Sequence, residues 1–389
     1  MINVFQPTVG HEELNAVQEV FDSAWLGRGA RTAQFERAFA ERMGADPEQV
    51  VSTNSCTEAL FLAVQLLDIG TDDEVVLPSV NWVGAANAVA ASGARPVFCD
   101  VDPRGLNPTA EHVAAALTGR TKAVLVLHYG GHPGDVARIA ELCREHGIRL
   151  IEDTACAVAS RVGDTACGMF GDIGVWSFDA MKILVTGDGG MLHARDPGIA
   201  ARARRDTYLG LAERSGLDRA RSDAVRWWDV DVAAFARRSI TNDIAAAIGA
   251  VQLRRLCEFV ERRRAIAEAY DHGFADAADI ARPPPLPHGH ASSHYLYWIQ
   301  LPDGDRRDRL AHHLYRNGVY TTFRYPLLHR VEAYDSGANL PGAEHAAEVT
   351  LCLPLHQALS DAEVAEVVRL VREHTDHDLP AASARGDAR

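Results

Sequence analysis

Lys182 is the residue of this sequence best placed to act as a nucleophile. Of the 39 lysine and arginine residues, only Lys122 and Lys182 are lysines. Lys182 lies between the apolar segment GVWSF (174–178) and the Gly-rich segment TGDGG (186–190). Such surroundings are expected to lower the pKa of its ammonium group and to free the amine, which forms imines with carbonyl groups far more readily than arginine does. The alternative is a surface lysine in a loop.

Asp153 is a candidate partner for a heterocyclic cofactor. It ends the segment IRLIED (148–153), an apolar run that closes with two acids and is followed by small residues. A carboxylate at the end of a strand can keep a ring nitrogen protonated, so that the ring acts as an electron sink. A plain helix N-cap is the alternative interpretation.

Two further segments are typical of a site for a flat, anionic ligand. In NSCTEALFLAV (54–64), hydroxyl-bearing residues precede an apolar helix, whose free N–H groups can bind an anion, although a plain N-cap has the same pattern. Trp82 follows the strand-like run VVLP (75–78). Its indole could stack on a flat ring there, and a core tryptophan is the alternative.

Alternating strands and helices must position these residues. Short apolar runs predict strands over 75–78, 95–101, 122–129 and 148–153, and amphipathic runs predict helices over 58–67, 109–117 and 135–147. This alternation predicts an α/β fold with a mixed, mostly parallel sheet covered on both faces. Ligands of such sheets bind at the carboxyl ends of the strands.

The pattern changes after about residue 200. The sequence predicts a long helix over 243–272, a proline-rich break over 281–290, strands over 293–301 and 319–326, and helices over 305–317 and 362–373. We therefore expect a large domain over 1–245, a smaller α+β C-terminal domain over 246–375, and a disordered tail over 376–389.

Composition limits the partners. A net charge of −14 argues against nucleic acid or an anionic membrane as a standing partner. The sequence contains no apolar run near the ~20 residues that span a bilayer and no signal-peptide pattern, so we expect a cytoplasmic protein. Seven scattered cysteines without a CxxC pair predict free thiols. No metal is expected, since His288, His290 and His294 have no nearby acid partner in the sequence.

Nine blocks carry a resemblance that spans nearly the whole chain. They are SCTEAL (55–60), PSVNWV (78–83), VLHYGGHPGD (126–135), IEDTACA (151–157), SFDAMKILVTGDGG (177–190), IAAAIGAVQL (244–253), SHYLYWIQL (293–301), FRYPLLHR (323–330) and AEHAAEVTLCLPLHQALSDAEV (343–364). In this order they resemble the blocks of the DegT/DnrJ/EryC1/StrS sugar aminotransferase family. Cys56 stands where the family usually has Gly, and Cys156 stands where it usually has Gln or His.

The resemblance implies an aspartate aminotransferase-like fold type I and a homodimer or larger assembly with active sites shared between subunits. The implied cofactor is pyridoxal 5′-phosphate, with pyridoxamine phosphate as its aminated form. The resemblance gives these roles: Lys182 as the imine lysine, Asp153 as the ring-nitrogen partner, Trp82 as the stacking residue, and Ser177, Cys56 and Thr57 as phosphate ligands. The family also uses an Asn or Arg from the neighbouring subunit, for which Asn242 or Arg238 is the candidate here.

The implied reaction transfers an amino group from glutamate to a nucleotide-linked keto-deoxyhexose. Lys182 is followed directly by ILVTGDGG, whereas members that aminate the 3-position often carry a longer Gly-rich stretch. We therefore expect amination at the 4-position, giving a 4-amino-4,6-dideoxyhexose for a natural product such as an antibiotic, or for a surface polysaccharide. The alternatives are a 3-keto sugar or aminocyclitol aminotransferase, a dehydratase with His in place of the lysine, and a non-catalytic regulator of the same fold.

Overall fold

The computed structural model describes residues 1–212, 220–221 and 226–377. Their helices are α1 (His11–Asp22), α2 (Ala30–Met43), α3 (Cys56–Leu66), α4 (Val83–Ala91), α5 (Ala110–Ala116), α6 (Val136–His146), α7 (Pro197–Asp206), α8 (Asp243–Gly273), α9 (Gly304–Arg316), α10 (Pro341–Val349) and α11 (Asp361–His377). Their strands are β1 (Val50–Thr53), β2 (Glu74–Pro78), β3 (Arg95–Cys99), β4 (Thr121–Leu127), β5 (Arg149–Asp153), β6 (Arg161–Val162), β7 (Thr165–Ala166), β8 (Ile173–Ser177), β9 (Gly190–Ala194), β10 (His290–Ala291), β11 (Tyr297–Gln300) and β12 (Thr350–Leu353). No helix in these ranges combines the length and apolarity that crossing a membrane requires.

A mixed sheet lies at the centre of the N-terminal part. Its seven strands in the described residues follow the order β1-β9-β8-β5-β4-β2-β3. The five strands from β8 to β3 run parallel, and β9 pairs antiparallel with both of its neighbours. Strands β1, β2 and β8 are buried along their whole length, as expected where both faces are covered. The predicted α/β class with a mostly parallel mixed sheet is confirmed.

This topology brings four strand ends to one edge of the sheet. Because β1 and β8 are both antiparallel to β9, they run in the same direction as β5 and β2. Their last residues are Thr53, Pro78, Asp153 and Ser177. The segments that the sequence analysis singled out therefore leave the sheet at the same edge.

Helix α8 connects the sheet to a second apolar core. Its first half packs against α1 and α2, and its second half contributes Ile266 and Tyr270 to a cluster that includes the β11–β12 pair and α11. The helix is continuous from Asp243 to Gly273, so the expected domain boundary at 245/246 falls just inside its first turn and stays a prediction. The expected disorder of the tail concerns residues 378–389 and the side chains of 376–377, which lie outside the described residues.

The predicted strand over 319–326 is wrong. This segment forms only isolated bridges, from Val319 to Ile2 and from Thr322 to Cys352. Its β-branched and aromatic residues have strand propensity, but only Thr322 pairs with the edge of β12 that β11 leaves open. The segment instead passes along this pair and returns to the edge of the sheet, where Leu327 bridges to Val80.

The buried Asp243 carboxylate joins the first turn of α8 to the first turn of α2. Its Oδ1 accepts hydrogen bonds from the Gly29 N–H (2.7 Å), the Thr32 N–H (2.9 Å) and the Thr32 hydroxyl (2.7 Å). These α2 groups have no partner within their own helix, so the carboxylate supplies an acceptor that the helix lacks. One side chain of α8 thus caps the start of a helix that lies more than 200 residues earlier in the chain.

Asp243→Ala is predicted to lower the free energy of unfolding by about 2–4 kcal/mol, because it leaves several buried donors without an acceptor. Chemical denaturation followed by circular dichroism measures the change. Asp305→Ala is the matched control, since Asp305 is an exposed residue in the first turn of α9, and it should change the free energy by less than about 0.5 kcal/mol. Equal effects of the two substitutions would contradict this role for Asp243.

Candidate active site

A cavity of about 300 Å³ lies at the edge of the sheet where the four strands end. Six of the seven residues predicted for the site line it: Cys56, Thr57, Trp82, Asp153, Ser177 and Lys182. They come from four separate stretches of the chain, which only the sheet topology brings together. Asn242, the seventh, is not among the lining residues.

Lys182 reaches the cavity from the loop that follows β8. Its backbone N–H donates to the Asp179 carbonyl at 2.9 Å, and its half-buried side chain places Nζ 3.5 Å from the Tyr295 hydroxyl and 4.7 Å from the centre of that ring. Burial lowers the pKa of the ammonium group, but Tyr295, Cys156, Asp153 and Cys56 raise it, and the pKa lies above its ordinary value. The expected lowering is wrong because the sequence did not show that polar and acidic groups would surround this lysine.

Asp153 is buried at the end of β5. Its Oδ1 accepts the N–H of Ala155 at 3.0 Å, which orients the carboxylate and leaves its second oxygen for another donor. Burial raises the pKa of this carboxyl, while the Ala155 N–H and the charges of Lys182 and His128 lower it. No helix follows Asp153 directly, so the N-cap interpretation is wrong.

The first turn of α3 faces the same cavity. Ser55 caps the helix by accepting the Glu58 N–H at 3.1 Å, and Cys56 and Thr57 follow it in the cavity wall. The close approach of this turn to the sheet requires glycine at position 190, which pairs with both Thr53 and Ser177. A Cβ at Gly190 would lie 2.6 Å from the Cys56 nitrogen. The helix terminus and the Ser177 hydroxyl together form a site that suits an anion.

Trp82 is half exposed rather than part of the core. It occupies the N-cap position of α4, and 47% of its surface is accessible. Its ring centre lies 6.0 Å from that of Tyr325, at an angle of 59°. The core interpretation is therefore wrong, and the indole face is available to a flat ligand.

The sequence analysis did not select Tyr295, Arg324 or Tyr325. Arg324 and Tyr325 line the cavity, and Tyr295 contacts Lys182. Their only sequence signal was membership in two resembling blocks, because their place depends on how the C-terminal part packs on the sheet. Cys156 is buried beneath them, with Sγ 3.3 Å from the Tyr325 hydroxyl, and it is not one of the lining residues.

The two candidates for a contribution to a neighbouring subunit lie away from this chain's own cavity. Asn242 caps α8, and its Oδ1 accepts the Ala245 N–H at 3.0 Å. The Arg238 guanidinium lies 5.5 Å from the centre of the Tyr208 ring. Neither residue lines the cavity described above. Within residues 1–212, 220–221 and 226–377, no cluster of His, Cys, Asp or Glu could hold a metal ion.

Comparisons with known proteins agree with this geometry. The model of the DegT/DnrJ/EryC1/StrS aminotransferase family matches residues 7–372. The dTDP-4-dehydro-2,3,6-trideoxy-D-glucose 4-aminotransferase of Saccharopolyspora spinosa is 57% identical over 379 residues, which are 97% of this chain and 98% of that protein. The spore coat polysaccharide biosynthesis protein SpsC of Bacillus subtilis is 34% identical over 94% of this chain and 95% of its own length. The crystal structure of the aminotransferase TlmJ from Streptoalloteichus hindustanus is 62% identical, with a TM-score of 0.93 over 97% of this chain and 99% of that chain.

Proposed function

We propose, since the chain belongs to the DegT/DnrJ/EryC1/StrS aminotransferase family, that it transfers an amino group from glutamate to the 4-keto carbon of a nucleotide-linked deoxyhexose. The family is pyridoxal phosphate-dependent and has fold type I. The main observation that supports this reaction is that Lys182, Asp153 and the first turn of α3 line one cavity. The substrate follows from the Saccharopolyspora spinosa relative, which is named for amination at the 4-position.

The cavity residues fit pyridoxal 5′-phosphate group by group. The α3 terminus with Cys56, Thr57 and Ser177 suits a phosphate, and the free oxygen of Asp153 suits a protonated ring nitrogen. The half-exposed face of Trp82 suits an aromatic ring, and Lys182 supplies the amine for covalent attachment. When bound, the cofactor supplies an electron sink for the carbon that loses a proton.

The chain's own residues then hold and move the proton. With the cofactor bound, the free amine of Lys182 would be the base that takes the proton from the donor's α-carbon and later returns one to the sugar carbon. Tyr295 keeps this amine inside the cavity, because its hydroxyl lies within 3.5 Å of Nζ and its ring beside it. Buried Asp153, whose Oδ1 is held by the Ala155 N–H, would keep a ring nitrogen protonated.

The assembly proposed for this function is a homodimer in which each subunit completes the other's cavity, with pyridoxal phosphate contacted by Asn242 or Arg238 of the neighbour. Support comes from the apolar side chains that the single chain leaves exposed between residues 227 and 235. They are Trp227, Trp228, Val230, Val232 and Phe235, and the last is fully exposed. Such a patch marks a protein interface more often than open solvent.

Phe235→Asp is predicted to raise the dimer dissociation constant, because it places a charge in an apolar contact, and activity should fall at dilutions where monomers form. Sedimentation velocity at several concentrations measures the assembly. Tyr315→Asp serves as the control, since Tyr315 is exposed on α9, away from this segment, and should leave the assembly unchanged. A wild-type monomer with full activity would exclude the shared site.

The reaction itself is tested by incubating the protein with glutamate, pyridoxal phosphate and a panel of 4-keto and 3-keto nucleotide sugars and ketocyclitols, followed by mass analysis. We expect an amino sugar from a 4-keto substrate, together with 2-oxoglutarate. Borohydride reduction should fix the cofactor to the peptide that contains Lys182. Lys182→Ala should lower turnover by about 10²–10⁴-fold or more, because both the attachment point and the base are lost. Lys122→Ala is the matched control, and cofactor fixed to Lys122 would overturn the assignment.

Asp153→Asn is predicted to slow transamination by about 10- to 100-fold with little change in stability. The amide keeps the size of the side chain and an acceptor for Ala155, but it cannot remain negative beside a protonated ring nitrogen, and a charge-assisted hydrogen bond contributes about 1.5–3 kcal/mol. Single-turnover rates and melting curves of the cofactor-loaded protein separate the two effects. Turnover close to that of the wild type would mean that Asp153 has only a structural role.

A further inference from the structure

Arg324 is a cation in the cavity wall that forms no ion pair with an acidic side chain in the described part of the chain. Its Nη2 lies 3.2 Å from the Met181 sulfur, and its guanidinium lies 4.6 Å from the centre of the Phe5 ring and 5.8 Å from that of Tyr325. A thioether is a weak acceptor, the aromatic rings contact the guanidinium with their faces, and the Tyr325 hydroxyl is its other hydrogen-bond partner. Most of its hydrogen-bonding capacity is therefore free for a ligand of the cavity.

The guanidinium contacts the residue next to the candidate lysine. Met181, which it contacts, directly precedes Lys182 in the chain. On the other side, Phe5 stacks on Tyr295 with ring centres 5.5 Å apart, and the Tyr295 hydroxyl lies 3.5 Å from Lys182 Nζ. Two short series of contacts thus connect Arg324 to the amine.

The charges of the cavity make Arg324 distinctive. The other ionisable residues that line the cavity are Lys182, the thiol of Cys56, the phenol of Tyr325 and three acids, Asp153, Asp179 and Asp188. Covalent attachment of the cofactor uses the amine of Lys182, so Arg324 is then the one basic side chain among the cavity residues described here. An anionic substrate group that leaves water at this place needs a cation of this kind.

We propose that Arg324 binds the α-carboxylate of the amino donor, an inference that rests on the transamination proposed above. In an amino acid the α-carboxylate is attached to the same carbon as the reacting nitrogen, so it must lie close to the position of Lys182. In a nucleotide-linked 4-ketohexose the phosphates are attached at carbon 1, across the ring from the reacting carbon. The contacts of Arg324 with Met181 and Phe5 hold its guanidinium near Lys182, where the α-carboxylate must lie. A guanidinium can bind such a planar carboxylate through two parallel hydrogen bonds.

The test measures the two halves of the reaction separately in Arg324→Gln, Arg324→Lys and wild-type protein loaded with pyridoxal phosphate. Stopped-flow absorbance follows the conversion of pyridoxal phosphate to pyridoxamine phosphate by glutamate. A second experiment follows the conversion of pyridoxamine phosphate back to pyridoxal phosphate by the 4-keto nucleotide sugar. Calorimetry with α-methylglutamate, which lacks the α-proton, measures carboxylate binding without turnover. Arg330→Gln is the matched control, because Arg330 is an exposed arginine of the same segment whose partner is Glu344 at 2.6 Å.

For Arg324→Gln we expect the dissociation constants of glutamate and α-methylglutamate to rise about 10- to 100-fold, while the ketosugar half-reaction changes by less than about threefold. Arg324→Lys should fall between Gln and wild type, since it keeps the charge but loses the fork. The proposal would be overturned if glutamate binding were unchanged, or if both half-reactions were weakened equally. It would also be overturned if only the ketosugar half-reaction were weakened, and that result would assign Arg324 to the phosphates of the nucleotide sugar. A wild-type protein that binds α-methylglutamate through Arg324 but aminates no ketosugar would refute the proposed function alone.

Discussion

Parallel pairing of β5 with β8 determines where the site can form. The register sets Asp153 opposite Val175, so the two strands end side by side, and the chain leaves β8 within a few residues of Lys182. The antiparallel β9 then returns and places Gly190 between Thr53 and Ser177, which lets the first turn of α3 approach. Carboxylate, lysine and helix terminus thus depend on one set of backbone hydrogen bonds. A slip of one residue in β8 would turn Ser177 to the opposite face of the sheet.

The N-terminal part of the fold was largely predictable from sequence because its signals are local. Apolar runs at 75–78 and 148–153 became β2 and β5 with shifts of one residue, and the helix expected over 135–147 became α6. Lys182 and Asp153 were recognisable because residue type and strand-end position are visible in a short window. The neighbours of these two residues could not be recognised from the sequence. Tyr295 and Arg324 lie more than 110 residues further along the chain and reach the cavity only through tertiary packing. The expected lowering of the Lys182 pKa was wrong partly for the same reason, because the distant Tyr295 is among the groups that raise this pKa.

The C-terminal core is coupled to the lysine loop through a buried arginine. Arg263 of α8 donates to the carbonyls of His294, Tyr295 and Leu355 and to Gln357 Oε1, and Gln357 in turn donates to the Ile183 carbonyl at 3.3 Å. Burial lowers the pKa of its guanidinium to about 10, yet these acceptors satisfy its N–H groups. The same side chain therefore orients the segment that carries Tyr295 and steadies the residue after Lys182. Packing in the second core is in this way transmitted to the position of the Lys182 amine.

The charge of the chain and the charge of its substrates act against each other. A net charge of −14 gives a long-range field that repels a nucleotide sugar and the proposed dicarboxylate donor alike. At physiological ionic strength, however, this field is screened beyond roughly 8 Å, while groups inside a half-closed cavity are screened much less. Affinity must therefore come from short-range donors that point into the cavity: the α3 terminus, Ser177 and the guanidinium of Arg324. Short-range donors inside the cavity therefore explain how a protein with a large negative net charge can bind anionic ligands. Among the acids that face the cavity, Asp153 is already oriented by the Ala155 N–H.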